Sequence, residues 1–230
     1  AYNAVHTPAQ APEEDIAYYR KKFPELSERR IILMAMLDHL DKGLGAVVNK
    51  LKEENVWDNT LLFFLTDNGG AKAMEADNGS LRDYKQSLYE GGIRTPWIVS
   101  WSAKYTGGRK IDTPIISLDI LPTVLDAIHG SEFNQTPFDG KSLLPLMHSN
   151  DAAHHPVLYW DSGDDKDEWA VRKGDWKLHS KKGKTSLFNL VDDESETTDL
   201  SKRNAEIVRE LSGLYETWLA EMVRSEEFLG

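Results

Sequence analysis

The sequence predicts an α/β fold: part of a mostly parallel sheet with flanking helices, followed by a small antiparallel-sheet subdomain packed on a C-terminal helix. Three features predict it. Thr60 to Thr66 is an apolar run without alternation, the pattern of a strand buried on both faces of a parallel sheet. A long amphipathic segment precedes it, and a second apolar run, Pro96 to Trp101, follows, giving an α/β layer order. From Pro137 onward, short β-type runs are separated by Gly- and Asp-rich turns, the grammar of an antiparallel meander. The chain divides accordingly into residues 1–136 and 137–230.

Residues 1–25 are polar, hold Pro8, Pro12 and Pro24, and leave room for one short helix near Glu13 to Lys22. Ser27 is an N-cap candidate for a helix to Glu54. There Ile32, Met36, Leu40, Leu44, Val47 and Leu51 recur at helical steps and make one apolar face. Gly43 and Gly45 within it imply close packing against a neighbour. A helix over Ser117 to Ile128 carries Leu118, Leu121 and Leu125 on one face, with Pro122 near its first turn. The meander strands are Val157–Trp160, Trp169–Arg172, Trp176–His179 and Ser186–Leu190. Asp192 to Asp199 is an acidic turn. The last helix runs from Asn204 to Val223, with Ile207, Leu211, Leu214, Trp218, Leu219 and Met222 facing inward.

The chain has 230 residues, a net charge of −11 and 40% hydrophobic residues, enough for a core. The acidic balance argues against nucleic acid and anionic membrane surfaces as partners. No apolar run approaches the length of a membrane span. With no cysteine, the chain has no disulfide, no zinc–thiolate site and no cysteine nucleophile.

Chemistry-bearing residues cluster at strand ends. Asp67-Asn68 closes the first apolar run, at the edge where open α/β sheets bind ligands. A carboxylate and an amide carbonyl are hard oxygen donors suited to Ca²⁺ or Mg²⁺, and Gly69-Gly70 permits a sharp turn after them. The same residues also suit an ordinary strand-ending turn. Lys85 to Pro96, with paired Gly91 and Gly92, leads into the second strand; such a loop binds an oxyanion or simply carries solvated charge. Arg94 reads as a structural ion-pair partner of Glu90. His6 stands alone near the terminus. His154 and His155 are adjacent, so on a regular element their side chains diverge; with His39, His129, His148 and His179 they read as structural or solvated. Trp160, Asp161, Trp169 and His179 read as core and turn residues before sugar contacts. Asn78-Gly79-Ser80 and Asn134-Gln135-Thr136 fit the glycosylation acceptor pattern.

Taken together and in order, Asn3-Ala4-Val5-His6-Thr7-Pro8, Asp38…Asp41-Lys42-Gly43, Thr66-Asp67-Asn68-Gly69, Lys85…Tyr89-Glu90-Gly91-Gly92-Ile93-Arg94-Thr95-Pro96 and Asp119-Ile120-Leu121-Pro122-Thr123 resemble the C-terminal half of type I sulfatases of the alkaline phosphatase superfamily. Asp139-Gly140-Lys141-Ser142-Leu143, Trp169-Ala170-Val171-Arg172 and Leu187-Phe188-Asn189-Leu190 continue the likeness.

The resemblance implies hydrolysis of a sulfate ester. It implies Asp67 and Asn68 as ligands of an active-site Ca²⁺, in preference to Mg²⁺. It implies Lys85 as the lysine on the sulfate group and His6 as the histidine at the leaving oxygen. Where the family often carries glycine around the lysine, this chain has Asp83, Tyr84 and Gln86. The family's formylglycine nucleophile arises from Cys or Ser in a Cys/Ser-x-Pro-x-x-Arg signature that does not occur here, so it is expected in a missing N-terminal half, together with two further Asp ligands. The implied partners are a sulfated small molecule or glycan and that half, or another partner covering its place. A periplasmic or secreted location is favoured. The chain alone is expected to be inactive. Two other readings remain at this point: a phosphonate or phosphate monoester hydrolase of the same superfamily, and a non-catalytic sulfatase-like interaction module.

Overall fold

The computed structural model describes residues 2–130, 138–149, 154–163 and 166–226. The boundary expected at 136/137 and the acceptor pattern at 134–136 lie outside the described residues.

Helix α1 spans Glu13–Lys22, and α2 spans Glu28–Glu53. Ser27 caps α2 by accepting the Arg30 N–H at 3.1 Å, which satisfies one orphan donor of the first turn. Ile16 of α1 packs on Ile31 and Ala35 of α2. Only the N-terminal half of α2 is buried, through Ile31, Leu33, Ala35 and Met36; Leu37 and Val47 are exposed. Gly43 does make the close approach expected of it: a Cβ there would stand 2.9 Å from the Tyr2 hydroxyl, whereas Gly45 faces open space.

Strand β1 (Leu62–Leu65) pairs with β2 (Trp97–Ser100). The pairing is antiparallel, from Leu62 opposite Ser100 to Leu65 opposite Trp97, and not parallel as the run of apolar residues predicts. Nor is β1 fully buried; all four of its residues are half-buried, and Ile98 of β2 is exposed. The helix expected from Ser117 begins as a 3₁₀ turn, Ser117–Asp119, and continues as α4, Ile120–His129, after the one-turn helix α3 at Glu90–Ile93. Its expected core residues Leu118 and Leu121 point outward. A short helix α5, Leu144–His148, precedes the second sheet.

That sheet is a meander of β3 (Leu158–Asp161), β4 (Glu168–Lys173), β5 (Trp176–Lys181) and β6 (Lys184–Asn189) in the order β3-β4-β5-β6. Side chains alternate between its faces. Val171, Leu178 and Leu187 stand opposite one another across three strands and bury against Leu211 and Tyr215 of α6 (Ala205–Glu226). Ile207, Val208, Leu214 and Trp218 pack around them. Leu219 and Met222, expected inside, are exposed, and Tyr215 takes the central place, its ring stacked 4.2 Å from that of Trp169. The other face presents Glu168, Ala170 and Arg172, then Lys177, His179 and Lys181, then Lys184, Ser186 and Phe188. This polar face turns toward the loop that carries Lys85.

Candidate active site

Asp67 and Asn68 leave β1 between two backbone bridges. The Thr66 N–H donates to the Pro96 carbonyl at 3.4 Å, and the Gly69 N–H to the Gly92 carbonyl at 2.9 Å. The next carbonyl, that of Gly70, accepts the Lys85 N–H at 3.0 Å. Three segments are thereby stitched edge to edge: residues 66–70, the chain at Lys85, and residues 92–96. Asn78 adds a side-chain bridge, its Oδ1 accepting from the Gly70 N–H and its Nδ2 donating to the Asp83 carbonyl, each at 2.9 Å. The Gly70 donor fixes the orientation of that amide. Asn78 thus ties the Gly70 backbone to that of Asp83.

Glycine is required here for space. A Cβ on Gly69 would lie 1.8 Å from the Gly91 carbonyl oxygen, and one on Gly92 would lie 2.1 Å from that of Ser87. Left-handed backbone occurs instead at Asp83 (φ 67°) and Gln86 (φ 77°), two of the positions at which the sequence departs from glycine.

Asp67 is exposed and Asn68 half-buried. Among the described residues neither side chain has a hydrogen-bond or ion-pair partner, so their oxygens are available donors. Lys85 is half-buried. His6 is exposed, and its segment is held through Ala4 and Val5, which pack with Ala71 and Ala76 against Leu33, Met36 and Met74. The His6 Nδ1 lies 2.9 Å from the Thr7 carbonyl oxygen. A carbonyl can only accept, so Nδ1 carries the hydrogen and Nε2 is left to act.

The loop between Lys85 and β2 is anchored on the polar face of the second sheet. Lys177 is fully buried, its Nζ 2.8 Å from Glu90 Oε1 and 2.9 Å from Glu196 Oε1. The first contact is a hydrogen bond; the second is ionic without hydrogen-bond alignment. Glu196 also accepts the Glu90 N–H at 2.6 Å, and the Arg172 guanidinium stands 3.9 Å from Glu90. Burial raises the Glu196 pKa, against the pull of Lys177. Glu90 is therefore not the partner of Arg94, as expected from their proximity in sequence; Arg94 reaches Glu194 at 3.6 Å. Glu168 accepts the Leu88 N–H at 3.0 Å and His179 Nε2–H at 2.9 Å. Burial pushes the Glu168 pKa up, but the donors Leu88, His179 and Lys181 outweigh it and hold it low. Burial pushes His179 down, which keeps its ring neutral.

His154 and His155 do not diverge. They lie outside any regular element, and both rings close on Asp119, Nε2 to Oδ2 at 3.0 Å and Nε2 to Oδ1 at 2.7 Å. The Ile116 and Lys141 N–H groups donate to the same carboxylate, at 2.9 and 2.8 Å. The possible ligand atoms of Asp119, His154 and His155 lie within 4.8 Å of one another, a spacing a metal ion would accept. Each carboxylate oxygen already has two donors, however, so the cluster is satisfied without one. It pins α4, the Lys141 loop and the entry to β3 to one another.

These features fall in a known pattern. Residues 1–131 match the family described as Sulfatase, and residues 81–218 match N-sulphoglucosamine sulphohydrolase, C-terminal. The structure aligns with that of Ps i-CgsB in complex with k-i-k-neocarrahexaose at a TM-score of 0.86 and 32% identity, covering 95% of this chain and 48% of that one. The fold is shared with the PsFucS1 sulfatase from Pseudoalteromonas sp., at a TM-score of 0.70 and 24% identity, covering 83% of this chain and 42% of that one. The chain is 34% identical over 162 residues to "Uncharacterized sulfatase YdeN" of Escherichia coli (strain K12), covering 70% of this chain and 28% of that protein. It is 29% identical over 132 residues to the steryl-sulfatase of Homo sapiens, covering 54% and 23%. The chain belongs to the sulfatase family, and it spans about a quarter of these two relatives and about half of the solved structure.

The Asp119 cluster carries a pH dependence. Burial raises the Asp119 pKa, but the hydrogen bonds from His154, His155 and the two backbone N–H groups more than reverse this and hold it far below the usual range. A carboxylate depressed in the folded state stabilises fully above its unfolded pKa of about 3.9 and loses that contribution as pH falls below it. Asp119→Asn is expected to cost on the order of 3 kcal/mol at pH 7, because buried donors lose their charged acceptor. In urea titrations the gap between wild type and variant should hold from pH 7 to 5 and narrow below pH 4. A gap that stays constant at pH 3 would show that Asp119 is not an ionised hub.

Proposed function

We propose that this chain is the part of a sulfatase that binds the sulfate group and supplies half of the metal shell, with the nucleophile contributed by a segment outside it. The observation that carries the reading is the stitching of Asp67-Asn68 to the Lys85 loop through the Gly70 carbonyl, in a chain of the sulfatase family. Lys85 places a positive charge beside a sulfate oxygen and stabilises charge as the ester bond breaks. His6, its Nδ1 held by the Thr7 carbonyl, presents Nε2 to the leaving oxygen and delivers the proton there when the ring is charged. Asp67 and Asn68 fit Ca²⁺ by donor chemistry, being hard oxygens with no other described partner. Two residues cannot fill a shell of six to eight oxygens, so further ligands belong to the missing segment. When bound, the ion would neutralise charge on the sulfate oxygens. In the complete protein, Lys85→Ala is expected to lower kcat/KM on an aryl sulfate by roughly 100- to 1000-fold. Removal of Ca²⁺ with EGTA should abolish turnover, and re-addition should restore it. The 230-residue chain alone should give no multiple turnover. Full activity of Lys85→Ala, or of the chain alone, would overturn the assignment.

The exposed apolar residues support the same reading. Leu37 and Val47 of α2, Ile98 of β2, and Leu118, Leu121 and Ile128 on or beside α4 are all exposed, and among the described residues the β1–β2 sheet has two strands. Unpaired strand edges and bare apolar helix faces require cover. At about 25 cal/mol per Å², several hundred Å² of such surface corresponds to roughly 10 kcal/mol, comparable to the stability of a domain. The proposed cover is the missing N-terminal half. Light scattering on the isolated chain at micromolar concentration should show association, with binding of a dye specific for apolar surface. A sharp monomer peak without dye binding would favour a self-sufficient interaction module.

A further inference from the structure

A cleft of about 430 Å³ opens between the β5–β6 hairpin and the loop that carries Lys85. Arg82, Lys181, Lys182 and Lys184 line it, with Tyr89 and Phe188 as its apolar wall. Four cations meet there in a protein whose net charge is −11. Arg82 is within electrostatic reach of Asp193. Lys182 (φ 52°) and Gly183 (φ 71°) form a left-handed two-residue turn that sets Lys181 directly opposite Lys184. Like charges at such a pair repel. Lys181 is offset by Glu168, at 3.0 Å. Among the described residues, no carboxylate lies within ion-pair distance of Lys182 or Lys184. The Asp199 carboxylate in the cleft accepts the Leu187 and Ser201 N–H groups. The Arg82 guanidinium is preorganised, stacked 3.8 Å from the Tyr89 ring centre and donating to the Glu196 carbonyl at 2.6 Å.

We infer that this cleft is a second anion subsite and takes a second sulfate of the same carbohydrate, so that the substrate class is a multiply sulfated glycan. Planar guanidinium and clustered ammonium groups suit sulfate oxygens, and the aromatic wall suits the C–H face of a sugar ring. The acidic remainder of the surface opposes long polyanions such as nucleic acid. Arg82 and Lys85 are three positions apart, at most about 11 Å of extended chain, the scale of one or two sugar rings. One loop thus holds both anion contacts. The assignment of the first sulfate to Lys85 rests on the sulfatase reading above; the cleft and its charges do not.

The test is calorimetric, on the complete protein, with a disaccharide carrying one sulfate and the same disaccharide carrying two. Wild type should bind the disulfated compound at least about tenfold tighter, with a steeper salt dependence, each lost ion contact being worth up to about a factor of ten. The double substitution Lys182→Asn, Lys184→Gln keeps a residue tolerant of left-handed backbone in the turn. It should reduce the preference to within about twofold, while Lys184→Arg retains it. Equal binding of the two compounds by wild type, or an undiminished preference in the double variant with an unshifted thermal midpoint, would overturn the subsite. Inactivity of the complete protein on every sulfate ester would defeat the sulfatase reading and leave the binding comparison intact. Turnover without a disulfate preference would defeat the subsite alone.

Discussion

An ammonium group with no exposed surface must be matched by negative charge, and Lys177 is matched by two carboxylates that arrive from distant parts of the chain. Glu90 comes from the turn before β2, and Glu196 from the acidic turn after β6. Once the three are buried together, none can leave without stranding charge in a low-dielectric interior, a penalty of several kcal/mol. The position of the Glu90-Gly91-Gly92 turn is thereby tied to the second sheet. Through the Gly69 N–H to Gly92 carbonyl bond, the exit of β1 is tied to it as well. The small sheet is therefore the backing of the candidate site. Its apolar face rests on α6 and its polar face holds the loops in place.

The same constraint explains the local backbone. With Glu90 fixed, residues 82–92 must fold back over one another. The Gly91 N–H reaches the Arg82 carbonyl at 2.8 Å, and the Gly92 N–H reaches that of Tyr89 at 2.9 Å. No side chain fits at the crossing points, and the turn at Asp83 and Gln86 is forced into left-handed conformation. Such strain persists where surrounding contacts over-determine the backbone, as Lys177, Glu168 and Asn78 do here.

Sequence reading recovered what local physics dictates. Helices α1 and α2 fall where the sequence places them, the second by its Ser27 cap and helical period, because these signals lie within a few residues of the structure they specify. The meander is marked by its turns. The direction of β1 against β2 was not legible: an apolar run reports burial and is silent on the orientation of its neighbour. Arg94 beside Glu90 was a pairing by proximity, whereas the true partner of Glu90 lies 87 positions away. A signal for Lys177 did exist. In Trp176-Lys177-Leu178-His179, strand alternation puts Lys177 on the face opposite Leu178, so burial of both faces demands a carboxylate partner. His154 and His155 escaped because the alternation rule was applied to residues that lie in no strand. At the candidate site, strand ends and family likeness single out Asp67, Asn68 and Lys85 in the sequence, whereas Asn78 stands out there only for its acceptor pattern.

The central claim is that Asp67, Asn68 and Lys85 form one half of a sulfate-and-cation site on a loop edge held by Lys177. The most direct measurement is diffraction from crystals of the complete protein grown with Ca²⁺ and a slowly turned-over sulfate ester. The account requires Ca²⁺ about 2.3–2.6 Å from oxygens of both Asp67 and Asn68. It also requires the Lys85 Nζ at hydrogen-bond distance, about 2.7–3.2 Å, from a sulfate oxygen. A cation bound elsewhere, or a sulfate group seated away from Lys85, would contradict it.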